Sequence, residues 1–385
     1  MLEPALVVFD DQRGSFGPLT DLRAAFELRA GLSTCLERIE HRLKRRASAL
    51  FCAPAVAPLL RERHSALINA LPPGDAFELV SGACMGTLKP FRCNREHAEM
   101  LVGACSEDAA GNGERTPWAM TARIAQTLTE DLDIFRDAPV LTNCERRALR
   151  AEEGQSIGAH PIMIDRSASI GPLCVIDASK GPVVLGAGVI IGPCSVLIGP
   201  CAILDSSVIS PRALIKANTV IGPHCRIGGE VGGTIFQGFS NKSHDGHLGD
   251  AFVGEWVNIG AGTDNSNLLN TYGEVIVRLE ADGGLVRTGT QFWGCVIGDH
   301  AKFAIGTRIM TGTTIGTGAM IASSRPPATL VDRFAWITDS AEAARTFRMD
   351  KFLDTARAMM QRRGQTLSSA AEARLCELHS KAQQQ

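Results

Sequence analysis

The chain has 385 residues, 39 Lys and Arg against 41 Asp and Glu, a formal net charge of −2, and 39 glycines beside one tyrosine and four tryptophans. Near-neutral charge excludes a nucleic-acid binder working by phosphate neutralisation, and no apolar run approaches the roughly 20 residues of a membrane span. Acidic residues arrive too early after Met1 for a secretory signal, and twelve cysteines without any C-x-x-C pair disfavour a zinc ribbon or a disulfide framework, so a cytoplasmic, soluble protein is expected.

In chain order, Ala5–Phe9 is predicted as a buried strand ending in Asp10 and Asp11, and Leu22 to Arg46 as a basic amphipathic helical region. Further strands are predicted at Leu67–Leu71, Glu78–Val80 and Glu99–Gly103, which makes residues 1–155 an α/β domain. Charge then thins out between Ile164 and Ser323, and the boundaries fall near Glu152–Gly158 and at Arg325-Pro326-Pro327. Within residues 156–325 an aliphatic recurs every six residues, at Ile164, Ile170, Ile176, then Ile209, Ile215, Ile221, Ile227, then Ile297, Phe303, Ile309, Ile315 and Ile321. Period six is neither helical nor a simple strand alternation. It predicts a triangular β-helix in which each hexapeptide supplies one short strand and one tight corner, with small residues such as Ala301, Thr307, Thr313, Cys174 and Cys225 four places on.

The repeat breaks twice, at Gly233 to His247 and at Asp264 to Gly294, where Glu274–Leu279 and the Gly283-Gly284 turn predict a hairpin leaving the axis. Residues 326–385 are predicted as two helices, within Ala341 to Arg363 and Ser368 to Lys381, that cap the β-helix. The first break holds the candidate chemistry. His244 in an exposed, low-charge loop is a candidate general base, Asn258 an amide donor toward a developing oxyanion, and Lys242 a cation for an acceptor phosphate. The bland alternative is that these are solvated loop residues and that Asn258 turns a corner in the left-handed conformation.

Hexapeptide repeats of this kind resemble the left-handed parallel β-helix family, a likeness that implies handedness and a homotrimer. The stretch His244 to Thr263, with Leu248-Gly249-Asp250 and Val257-Asn258-Ile259-Gly260-Ala261-Gly262-Thr263, resembles the acetyltransferase half of the bifunctional N-acetylglucosamine-1-phosphate uridyltransferase/glucosamine-1-phosphate N-acetyltransferase family (GlmU). That resemblance implies a catalytic role for His244, acceptor binding by Asn258 and Asn267, and an acetyl-CoA groove lined by Ala261. His247 stands where the family has a tyrosine and is a candidate substrate contact; the family's sugar-phosphate-gripping basic residues have no counterpart between Ile227 and Ser240. A GlmU-related branch of sugar-nucleotidyltransferase-like proteins is also resembled at Val7 to Asp11, Pro18-Leu19-Thr20, Glu27-Leu28-Arg29, Gln291-Phe292, Gly298-Asp299-His300 and Asp350-Lys351.

In the amino-terminal domain the family's glycine-rich phosphate loop is replaced by Asp10-Asp11, so a degenerate nucleotidyltransferase-like domain is expected, with Arg13 and Arg29 as candidate phosphate ligands and Mg2+ only if that domain is active. The reading is an acetyl-CoA-dependent N-acetyltransferase acting on an amino-sugar phosphate or nucleotide sugar. Its rivals are a sugar-1-phosphate nucleotidyltransferase, a non-catalytic trimeric scaffold or sensor, and a metal-dependent trimeric β-helix enzyme using His244 and His247.

Overall fold

The structure is a computed structural model that describes residues 3–10, 15–82, 90–103, 115–340 and 343–384. Asp11 and Arg13 lie outside the described residues. The amino-terminal sheet has five strands, β1 (Ala5–Phe9), β2 (Ala49–Phe51), β3 (Leu67–Ile68), β4 (Phe77–Ser81) and β5 (Phe91–Cys93), in the order β3-β2-β1-β4-β5. All neighbours run parallel except β4 and β5. Val7 and Val8 point to opposite sides of β1 and both are buried, which is why the strand reads as an unbroken apolar run.

Two expectations for this domain fail. Glu99–Gly103 is the end of a helix, Arg95–Gly103, because its Glu, His, Ala and Met residues favour helix over strand. Within Leu22 to Arg46 only Cys35–Leu43 is α-helical. A capping box between Thr34 and Glu37 starts that helix, and Lys44, at φ 53°, ends it in the left-handed conformation. Upstream of Thr34 the chain takes two short 3-10 turns, Gly17–Thr20 and Ala25–Glu27, since its basic residues are drawn to distant partners.

From Gly154 onward successive short strands pass in turn to three parallel sheets, giving a three-sided β-helix. Face 1 begins at Gly154–Ile157, face 2 takes its first parallel strand at Ile162–Asp165, and face 3 begins at Ser169–Ile170. Ile209, Ile215, Ile221 and Ile227 all point inward and are fully buried, as are Cys225, Ala301, Thr307, Thr313 and Ala319 at the corners. Each such aliphatic contributes roughly 1.5–3 kcal/mol of burial, available only because coils stack. Strands continue past Pro327, through Leu330–Val331 and Ala335–Thr338, so the solenoid outlasts its expected boundary.

The breaks have different causes. On face 3 Arg226 pairs with Asn241, Asn241 with Asn258, and Asn258 with Lys302. This register places Lys242 in the inward slot between Ile227 and Ile259, so a charged residue fills the aliphatic position. The second break is an excursion between two coils that remain paired, with a hairpin of Ile276–Val277 and Val286–Arg287.

The outward side of face 2 is apolar as well. Val184, Ala202, Val220, Ile235, Phe252 and Val296 join the amino-terminal domain in one core. At the edge between faces 2 and 3, His224, Phe239, Trp256 and His300 stack with ring centroids 4.7, 4.5 and 6.3 Å apart, and Phe352 meets His300 edge-on. That contact docks the helix Met349–Gln361 along the flank of the solenoid; Arg363 just beyond it reaches back to the carbonyl of His224 (2.8 Å). The expected end cap is therefore a side strut, and the second helix, Ser369–Ala382, packs against the amino-terminal helix Ala57–Arg63. No helix of the described residues is long and apolar enough to cross a membrane.

Candidate functional site

The candidate residues gather along the edge where face 3 turns into face 1. Because Asn241 pairs with Asn258, the corner carrying His244 lies directly under the corner carrying Ala261. The N–H of Gly262 donates to the carbonyl of Asp245 (2.9 Å), which locks the two corners one coil apart. Gly246, at φ 122°, allows this approach: a Cβ there would stand 2.2 Å from the carbonyl of Thr263. His244 is exposed, and Ile305, 78% exposed, follows Ala261 on the next coil. The His244 imidazole therefore shares this edge with Ala261 and Ile305 on the next two coils.

Lys242 does not reach this surface. Its side chain is 1% exposed, and its amine donates to the carbonyls of Gly228 (3.1 Å), His244 (3.1 Å) and Gly246 (2.6 Å). Burial pushes its pKa down to about 8. The expectation of a phosphate ligand is corrected: the amine is committed to the backbone of the loop that presents His244.

His247 and Asn267 meet on the face 1 side of the edge. A Cβ built on Gly249 would come within 2.6 Å of His247 Nε2 and 2.9 Å of Asn267 Nδ2, so a larger residue there would displace one of these two side chains. His247 Nδ1 lies 3.3 Å from Glu230, whose carboxyl is held below its ordinary range first by the hydrogen bond from Lys216. Asn267 donates to Asp250 (2.6 Å), and burial raises that carboxyl. Among the described residues no group of three or more His, Cys, Asp or Glu side chains is placed to hold a metal ion.

Asn258 sits on the other side, on face 3. Asn241 Nδ2 donates to its Oδ1 (2.9 Å), which occupies the Asn258 amide oxygen and leaves its N–H groups as the donors of that side chain. It lines a groove of about 520 Å³ under the 349–361 helix, outside which His244 lies. Arg226, Lys302, Arg362 and Arg363 line the same groove and were not singled out from sequence. The only local signal is that Arg226 takes an outward hexapeptide position beside Ile227.

Arg29 is drawn into the seam between the amino-terminal domain and face 2. Its backbone N–H and Nε both donate to Gln237, at 2.9 and 3.1 Å, and it lines an inter-domain cavity of about 620 Å³ with Arg23, Glu27, Arg63 and Glu255. Nearby, Arg23 is buried against Asp299 (2.9 Å) and Glu255 (3.0 Å), and Arg333 bridges Asp21 and Glu280. The motifs around Glu27-Leu28-Arg29 and Gly298-Asp299-His300 thus meet as a structural seam. Arg29 makes its bonds there to protein groups, Gln237 and the carbonyl of Leu32.

No protein-family model matches the chain. Several curated proteins do match part of it. The bifunctional protein GlmU of Gloeobacter violaceus is 34% identical over 125 residues, 31% of this chain and 26% of that protein. That of Methanococcus aeolicus is 32% identical over 165 residues, 42% of this chain and 39% of its own length. That of Nitrosospira multiformis is 29% identical over 205 residues, 51% of this chain and 36% of its own. Part of the chain is thus similar to part of GlmU. The matched stretch spans well under half of each of these relatives, so the likeness is one of part to part.

Proposed function

We propose that the chain transfers an acetyl group from acetyl-CoA to the amine of an amino-sugar phosphate or nucleotide sugar. One observation carries the reading: His244 lies directly under Ala261 on one edge of the solenoid, with Asn258 on one flank and His247 with Asn267 on the other. These are the positions that the GlmU resemblance implies for base, acetyl-CoA groove and acceptor contacts. The amine nitrogen attacks the thioester carbonyl carbon as His244 takes the departing N–H proton. Amide donors such as Asn258 steady the oxyanion; the C–S bond then breaks, and the protonated imidazole returns its proton to the coenzyme A thiolate.

His244 is exposed in the single chain, so in this reading a second copy, within a homotrimer, closes the cleft over it. The amino-terminal domain then serves as a degenerate nucleotidyltransferase-like partner, consistent with the use of Arg29 in the seam. Exposure of His244 also suits a non-catalytic scaffold. Screening amino sugars and their 1-phosphates for acetyl-CoA-dependent thiol release separates the two. The proposal expects release with at least one phosphorylated amino sugar, and thiol production with none of the panel would favour the scaffold.

A further inference from the structure

Acetyl transfer as drawn above makes no use of the cations that line the groove beneath the 349–361 helix. Three guanidiniums converge there: Arg226 from the outward side of face 3, and Arg362 and Arg363 from the end of the helix. The amides of Asn241 and Asn258 continue the same wall, and the stem of Lys302 closes its upper end. No Asp or Glu is among the lining residues. Burial and the positive charges of Arg226 and Arg362 hold the Arg363 guanidinium below its ordinary pKa.

Like charges collected on one wall repel one another, and the arrangement is relieved when an anion enters. Guanidinium forks match phosphate oxygens two at a time, and side-chain amides suit the hydroxyls of a sugar. A volume of about 520 Å³ is in the range of small-molecule sites and is far larger than a single inorganic ion requires. From these features we infer that the groove binds the phosphate groups of a phosphorylated small molecule through Arg226, Arg362 and Arg363. Asn258 is shared with the acetyl-transfer reading, but the inference rests on the groove alone. The phosphate has two possible sources, the sugar-phosphate acceptor and the phosphates of the coenzyme.

Calorimetric titration of the full chain with inorganic pyrophosphate, coenzyme A and glucosamine 1-phosphate tests this. Arg226→Gln and Arg362→Gln alter exposed side chains, and Arg166→Gln, on an exposed arginine elsewhere, is the control. Pyrophosphate binding weakened at least ~10-fold in each groove variant and unchanged in the control is the expected result. Arginine-dependent binding of coenzyme A alone assigns the groove to the donor, and of glucosamine 1-phosphate alone to the acceptor; either supports the site. Absence of pyrophosphate binding at millimolar concentration, or equal affinity in Arg226→Gln, Arg362→Gln and wild type, overturns it. His244→Ala keeps pyrophosphate binding whether or not the chain acetylates, so failure of one reading is distinguishable from failure of the other.

Discussion

Replacing Lys242 by methionine probes why the His244 loop holds its shape. Methionine fits the inward slot between Ile227 and Ile259 but donates no hydrogen bond. The carbonyl of Gly246 keeps a bond from the N–H of Glu230 (3.2 Å), whereas those of Gly228 and His244 lose the amine. The buried Gly228 carbonyl and the part-buried His244 carbonyl, left without that donor, cost roughly 1–4 kcal/mol together. Against this, burial lowers the amine from its ordinary 10.5 to about 8, a charge-burial cost of roughly 3 kcal/mol at neutral pH that methionine avoids. The net change in stability at pH 7 therefore straddles zero, between about 2 kcal/mol of stabilisation and about 1 kcal/mol of loss.

The pH dependence is the sharper test. Between the folded pKa near 8 and the unfolded value of 10.5 the unfolded chain binds more protons at this site, so raising the pH favours the native state. Wild-type stability minus that of Lys242→Met grows by roughly 2 kcal/mol from pH 7.5 to pH 9.5. Urea unfolding of both proteins at the two pH values measures it. A difference that stays flat or shrinks would refute the buried, depressed amine and with it the pinning of the loop.

Other expectations follow from the same geometry. Arg23→Met leaves Asp299 buried without its cation and breaks the bond to Glu255, so chemical unfolding should show a loss of about 3–5 kcal/mol; an unchanged midpoint would mean that the seam is not load-sharing. Gly246→Ala forces a Cβ against the Thr263 carbonyl in a left-handed backbone, costing roughly 1–3 kcal/mol. It should lower the thermal midpoint and thiol release together, since it separates the His244 and Ala261 corners.

The solenoid was legible because its aliphatics repeat locally: Ile209, Ile215, Ile221 and Ile227 each reach the core through a rule that spans six residues. Lys242 reads as a surface cation because it breaks that rule in identity while keeping it in position, and only the stacking register reveals that the slot is inward. Arg29 reads as a phosphate ligand within a basic helical region that also holds Arg23. Their partners, Asp299, Glu255 and Gln237, lie hundreds of residues on, and no local pattern can pair them. The Arg226–Arg362–Arg363 groove was invisible for a related reason, since the helix that closes it returns along the flank instead of covering the end.

Steady-state thiol release from acetyl-CoA, with wild type and His244→Ala compared on the best amino-sugar acceptor, addresses the proposed chemistry most directly. Loss of the base at this edge should slow turnover at least ~10²-fold while the thermal midpoint stays put, because the exposed ring carries little of the fold. Equal rates from the two proteins would contradict the assignment of His244.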